Sequence, residues 1–415
     1  MSNGVRVVCD PMPGLRTIAV TVAVNGGARM EDEARSGWSH LLEHLVFKGA
    51  GDMGAREIVE RIEAEGGSIN AATGYERTSF DVRALKGSLP LAMQVLSDLV
   101  FRPTLSPEEI EREKDVVAQE IAEAFDTPDD HVFEMAQTQA FAGQALGRPI
   151  LGSIASLAPA DRAAVADWRA RLYSPDHMVV SVSGAVDEAE LLTLAEAWFG
   201  QAVAAPHEPT APAVFTGGEA KLARKIEQAN LVFQLPSLGV RDPRQPALRL
   251  FTEILGGGMA SRLFQSARED RGLAYAIDAY HETYDELGVL GVYAGAAAER
   301  SLELAELCAV EILDLADKGP TEAELARAKA VLNASLWMAD ESPASRSGRL
   351  AGQTLAFGAP VSSEESAARI EAQTAQDLRA VGQAMTSQGL AATAVLGPKA
   401  AGGAGRVFRQ RMAAG

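Results

Sequence analysis

At 415 residues, 47% of them hydrophobic, the chain exceeds what one ordinary core holds and points to two large domains. With 56 acidic against 38 basic residues its formal net charge is −18, which argues against a phosphate-backbone binder. The excess acid favours solubility and leaves a preference for basic peptides as a second consequence. Two cysteines, Cys9 and Cys308, rule out a disulfide framework and any multi-cysteine zinc or iron–sulfur site. The opening MSNGVRVVCD has no basic stretch leading into an apolar one, and no window has the length of a membrane span. The expectation is a soluble cytoplasmic protein with no signal peptide.

Thr17–Val24 (TIAVTVAV) is β-branched and apolar and ends in Asn25-Gly26-Gly27, which reads as a buried strand and turn. The segment 36–49 (SGWSHLLEHLVFKG) reads as a helix with Ser36 as N-cap and Gly49 as its stop. A second helix runs from Ala55 to Glu65 and stops at Gly66-Gly67. Strands follow at 68–72 and 78–84, then a helix at 89–101. Ser106-Pro107-Glu108-Glu109 is a helix start, with a cap, a proline in the first turn and a capping box; this helix runs to about Ala124. Another strand lies at 178–183 and another helix at 188–199.

The Ala-, Pro- and Thr-rich stretch 201–218 is the linker candidate. Beyond it the order begins again: a strand at 229–235, helices at 246–255 and 261–270, strands at 274–281 and 287–294, further helices, and a late strand at 391–396. Gly256-Gly257-Gly258 lacks the Lys-Ser/Thr of a phosphate loop and reads as a tight turn. The expected fold is α+β, with two domains of similar topology at 1–205 and 221–415 and a linker at 206–220.

The chemistry centres on His40-Leu41-Leu42-Glu43-His44. Residues four apart on a helix are neighbours on one face, so both imidazoles can meet one ion. Zinc takes neutral imidazole readily and wants about four ligands. Glu43 shares that face and can accept a proton from water without ligating the metal. A third protein ligand is needed. The helix after Ser106 offers Glu113 and Glu120, two turns apart on one face, and spacing alone does not choose between them.

HLLEH has the inverted order of H-x-x-E-H sites. Together with GGSINAATGYERTSF, EEIEREKDVVAQE, YSPDHMVVSVSG and LGGGMASRLFQSAREDRGLAY, it makes the chain resemble the family of pitrilysin, insulin-degrading enzyme and mitochondrial processing peptidase over nearly its whole length, in the short two-domain bacterial form. The resemblance implies two homologous domains, each a mostly antiparallel sheet packed with helices, forming half of a clamshell chamber. It implies one zinc per chain held by His40, His44 and Glu120, with Glu43 activating water and Glu113 orienting a liganding histidine. Arg268 and Tyr275 match a family pair that contacts substrate or the transition state. Asn70, Ala71 and Ala72 match an edge strand on which a peptide can pair, although Gly74-Tyr75-Glu76 departs from the commoner pattern. His131, His177, His207 and His281 lack ligand-like spacing and read as structural or surface residues. The implied activity is hydrolysis of unfolded or presequence-like peptides, by a homodimer or by a heterodimer with a zinc-lacking homologue. The alternative is a non-catalytic assembly subunit of the same fold.

Overall fold

The computed structural model describes residues 1–206 and 210–414; His207 lies outside them. Two five-stranded sheets organise the chain. The first contains β1 (Arg6–Pro11), β2 (Thr17–Val24), β3 (Ser68–Thr73), β4 (Thr78–Leu85) and β5 (Met178–Gly184), in the order β1-β5-β2-β4-β3. The second contains β6 (Gly218–Ala223), β7 (Gln228–Leu238), β8 (Ala274–Thr283), β9 (Leu287–Ala297) and β10 (Ala392–Gly397), in the order β8-β9-β7-β10-β6. In each sheet the only parallel pair joins the first strand to the last, β1 with β5 and β6 with β10; every other pair is antiparallel. Strand for strand the two sheets have one topology, which makes the expected repeat concrete.

β2 and β5 are buried on both faces, so they read as continuous apolar runs and not as alternation. Val20, Val22, Val180 and Val182 are fully buried, and each such side chain contributes about 1.5–3 kcal/mol of burial free energy. Two of the four edge strands, β1 and β6, were not anticipated. Both are six residues long, only partly buried and mixed in composition, so neither carries a period. β6 begins inside the segment read as linker.

The compact units are not the two halves of the sequence. One consists of Met1–Ile121, Pro149–Ala211 and Trp337–Ser362; the other of Ala122–Arg148, Pro212–Leu336 and Ser363–Gly415. Each half lends the other a helix. Pro343–Phe357 packs across β2 and β5, with the Ser347 hydroxyl donating to the Ser181 carbonyl at 2.8 Å and Arg346 Nε to Asp10 at 2.6 Å. Pro128–Ala140 lies on β6, β7 and β10; its Phe133 ring stacks on Tyr293 and its Gln137 amide donates to the Tyr284 hydroxyl at 2.9 Å. Helical periodicity names a buried stripe but not the sheet that buries it, so this exchange is invisible in the sequence.

Candidate metal centre

The helix that carries the motif spans Trp38–Val46. Ser36 does not cap it. The N-cap is Gly37, at φ 92°, a left-handed conformation that suits glycine. A Cβ there would stand 2.5 Å from the Leu151 carbonyl oxygen. The capping group comes from outside the helix. Buried Glu31 accepts from the Gly37 N–H at 2.8 Å and from the Ser39 N–H at 2.7 Å, satisfying two donors of the first turn with a charge that suits that end. Trp38 Nε1 donates to the Ser156 carbonyl at 2.8 Å, and the Ser156 hydroxyl to the Ser36 carbonyl at 2.6 Å, pinning the same turn to the segment 151–156. Nor does Gly49 end the helix: Phe47 is the C-cap, and Gly49 belongs to a two-residue strand.

Leu41, Leu42 and Leu45 are fully buried, which turns His40, Glu43 and His44 toward the opposite, partly open face. The long helix Pro107–Asp126 lies opposite, its N–H of Glu109 bonded to the Ser106 hydroxyl as expected, although the Glu109 carboxylate pairs with Arg112 and leaves the capping box half made. This helix brings Glu113 and Glu120 to the motif.

Glu120 Oε2 lies 3.8 Å from His40 Nε2 and 3.5 Å from His44 Nε2. These separations are at or beyond the limit of a hydrogen bond, and the buried Glu120 Oε2 has no hydrogen-bond partner among the described residues. One ligand atom from each of the three residues falls within 4.8 Å of the others. Two imidazole nitrogens and one carboxylate oxygen facing a common centre are the protein ligands of a catalytic zinc site with its fourth position open. The residues therefore fit the metal. Burial, with His44 next, lowers the His40 pKa to about 4, which keeps that imidazole neutral and its lone pair available.

Glu113 takes a different place. Its side chain is 2% exposed, its Oε2 is 3.1 Å from His44 Nδ1 and its Oε1 is 3.0 Å from Lys48 Nζ. It points to the far nitrogen of His44 and away from the convergence of ligands.

Glu43 does not join the cluster. Its buried Oε2 has no hydrogen-bond partner among the described residues. Burial raises its pKa, opposed by the neighbouring Thr73, the last residue of β3, and by His44. Tyr173 is fully buried, and burial together with the Glu43 charge holds its phenol far above the usual range. A cavity of about 380 Å³ opens beside Glu43 and His44, walled by Phe47, Lys48, Val59 and the edge strand at Ser68–Ala71. Asn70 and Ala71 thus border the same cavity, whereas Ala72 does not line it. β3 pairs only with β4, leaving its other edge unpaired within the sheet.

Arg268 and Tyr275 belong to the other compact unit. Arg268 sits in the short π-helix Phe264–Glu269, a wider turn than the α-helix expected there. Its guanidinium lies over the rings of Phe264 and Tyr275, at 4.8 and 5.7 Å, and Tyr275 is 73% exposed on the edge strand β8. The two residues are therefore neighbours. Of the other histidines, His131 lies 3.5 Å from Glu134 and His281 is half-buried with its pKa lowered to about 4 by burial and Arg249; neither belongs to a group able to hold a metal among the described residues. The sequence reading missed Glu31, Lys48 and Thr73. A glutamate nine residues before a motif, a lysine just past its helix and a threonine at a strand end carry no signal of their own.

No helix among the described residues is long and apolar enough to cross a membrane. The insulinase (peptidase family M16) model matches residues 6–154, and the peptidase M16 inactive-domain model matches residues 159–332. An uncharacterized zinc protease of Mycobacterium tuberculosis is 35% identical over 409 residues, covering 96% of this chain and 92% of that protein. The uncharacterized zinc protease YmxG of Bacillus subtilis is 35% identical over 364 residues, 86% of this chain and 87% of the relative. Among solved structures, a protease from Helicobacter pylori superposes with a TM-score of 0.88 at 20% identity, over 96% of this chain and 98% of that one. A peptidase M16 inactive-domain protein from Pseudomonas fluorescens superposes with a TM-score of 0.89 at 18% identity, over 96% and 97% of the two chains; at such identities the likeness concerns the fold. Two matching family models, relatives alike over almost the full length, and a His-His-Glu cluster built from an inverted H-x-x-E-H helix lead to one conclusion: this chain belongs to peptidase family M16, the insulinase family of zinc-dependent metallopeptidases.

Proposed function

We propose that the chain is a zinc endopeptidase in which His40, His44 and Glu120 hold one metal ion, Glu43 is the general base and Glu113 orients His44. The observation that carries this reading is the convergence of three ligand atoms within 4.8 Å, with the Glu43 carboxylate, whose Oε2 is buried without a hydrogen-bond partner, outside that group. Zinc at such a site lowers the pKa of water and polarises a carbonyl. Glu43, its proton affinity raised by burial, accepts the proton of the attacking water and passes it to the leaving amine. An extended peptide pairs with the free edge of β3 at Asn70, Ala71 and Ala72, which sets its carbonyl against the metal ligands. Arg268 and Tyr275, supplied by this chain or by a partner subunit, steady the developing oxyanion as guanidinium and phenol donors, and the second half of the chain contributes substrate contacts without a metal.

The substrates in this reading are unfolded or presequence-like peptides in the cytoplasm, with basic segments favoured by the −18 charge. The assembly is a homodimer, because one chain carries both the metal residues and the Arg-Tyr pair; a heterodimer with a zinc-lacking homologue is the other arrangement. A purely structural subunit of this fold has no use for a carboxylate whose Oε2 is buried without a hydrogen-bond partner beside a complete ligand set.

The test is zinc content and peptide hydrolysis for the wild type and Glu43→Gln. The variant keeps its zinc and loses at least about 100-fold in turnover, the scale of a missing general base. A wild type with zinc but no hydrolysis of any unfolded peptide, neutral or Arg-rich, favours the assembly role. Wild-type turnover in Glu43→Gln removes the assigned base.

A further inference from the structure

Lys48 lies just beyond the motif helix, where the chain turns back. Its N–H donates to the Leu45 carbonyl at 3.1 Å and the preceding Phe47 N–H to the His44 carbonyl at 3.2 Å, which fixes the backbone from which Lys48 extends. Its ammonium reaches Glu113 Oε1 at 3.0 Å, while the other oxygen of the same carboxylate faces His44 Nδ1 at 3.1 Å. Three groups therefore form a chain, Lys48 to Glu113 to His44, that ends on the nitrogen opposite the one turned to Glu120.

We infer that Lys48 is a positioning residue for the metal site: by holding one oxygen of Glu113, it aims the other at His44 Nδ1 and so fixes the imidazole with Nε2 free for the ion. The inference rests on the ligand set proposed above. Its physical basis is an imbalance in burial: the Glu113 side chain is 2% exposed and that of Lys48 33%. A salt bridge between two exposed groups does little. A buried carboxylate is different, because each of its oxygens needs a donor. With Lys48 removed, Glu113 has only His44, and its carboxylate is free to rotate. A histidine whose far nitrogen has lost a fixed acceptor samples both tautomers and more ring orientations, and the tautomer with Nε2 protonated binds no metal.

A purely structural salt bridge makes a different prediction: its loss lowers stability and leaves metal affinity alone. The experiment is a competitive zinc titration of the full-length apo-protein, read with a chelating dye, for the wild type, Lys48→Met and Lys48→Arg. Circular dichroism of each apo-protein confirms the fold. Long-range ¹H–¹⁵N spectra of the histidine rings report the His44 tautomer without activity. Lys48→Met binds zinc about tenfold more weakly, the lower end of the loss seen when the partner of a liganding group is removed, and its His44 signals show both tautomers. Lys48→Arg stays within about threefold of the wild type, because the guanidinium keeps the charge and a donor. Lys48→Met that binds zinc as tightly as the wild type, with the His44 signals unchanged, overturns the inference while leaving the metal site intact. A wild type that takes up no zinc at all overturns the ligand assignment and this inference with it.

Discussion

Replacing Glu31 with alanine takes away the carboxylate that holds the first turn of the motif helix. Two backbone donors, the N–H groups of Gly37 and Ser39, bond to it at 2.8 and 2.7 Å in a buried setting. Hydrogen bonds to a charged partner contribute about 1.5–3 kcal/mol each, so the variant loses about 3–6 kcal/mol locally, reduced by whatever water reaches the two donors. At the lower bound, opening of the first turn becomes about 100-fold more frequent. Amide hydrogen exchange followed by mass spectrometry reads this directly in peptides covering 36–42. Glu31→Gln is intermediate: its carbonyl can still accept one N–H, but its NH₂ presents a donor to the other. Because His40 lies in the disturbed turn, zinc affinity falls along with protection. Exchange at the wild-type rate in Glu31→Ala refutes the claim that the motif helix is anchored from outside.

Gly152, at φ 72°, backs the same turn, and a Cβ there would stand 2.2 Å from the Ser36 carbonyl oxygen. Gly152→Ala lowers stability by about 2–4 kcal/mol, strain and clash together, whereas Gly14→Ala, at φ 90° with no neighbour within 4 Å, shows the backbone strain alone; equal melting temperatures for the two variants contradict the clash. In the other unit, burial alone would raise Glu324, but Arg262 and the Thr321 donors outweigh it and hold its pKa at about 2. A carboxyl depressed from 4.5 contributes stability that is complete above the unfolded value and is lost as pH falls toward the folded one. Glu324→Gln therefore melts below the wild type at pH 7, and the gap narrows from about pH 4.5 downward. A gap of constant size across that range means the ion pair with Arg262 contributes nothing.

Much of this protein is written locally. The valine-rich β2 and β5, the stop at Gly66-Gly67 and the Ser106-Pro107 start each depend on neighbours in sequence, and each stands close to its expected limits. The histidine pair was legible because helical spacing puts residues 40 and 44 together. By spacing alone Glu113 and Glu120 were alternatives on one face, and only the family resemblance assigned them separate roles; what separates them in the fold is depth, one reaching the ligand cluster and the other the back of His44. What was not legible depends on distant parts of the chain. The exchanged helices Pro128–Ala140 and Pro343–Phe357 have ordinary amphipathic patterns. The parallel strands β1 and β6 draw their pairing from partners more than a hundred residues away. Glu31, Lys48 and Thr73 act on the motif from outside it, through burial, and burial is a property of the fold.

In the proposed site two imidazoles and one carboxylate, from separate helices, share a single ion. X-ray absorption at the zinc edge, on protein loaded with one equivalent of zinc, tests it most directly when the wild type is compared with Glu120→Gln. The wild type shows two nitrogen ligands and oxygen at about 2 Å, and the variant a changed oxygen shell and weaker zinc retention. Identical spectra and identical retention in the two proteins, or a first shell without two histidine nitrogens, would contradict it.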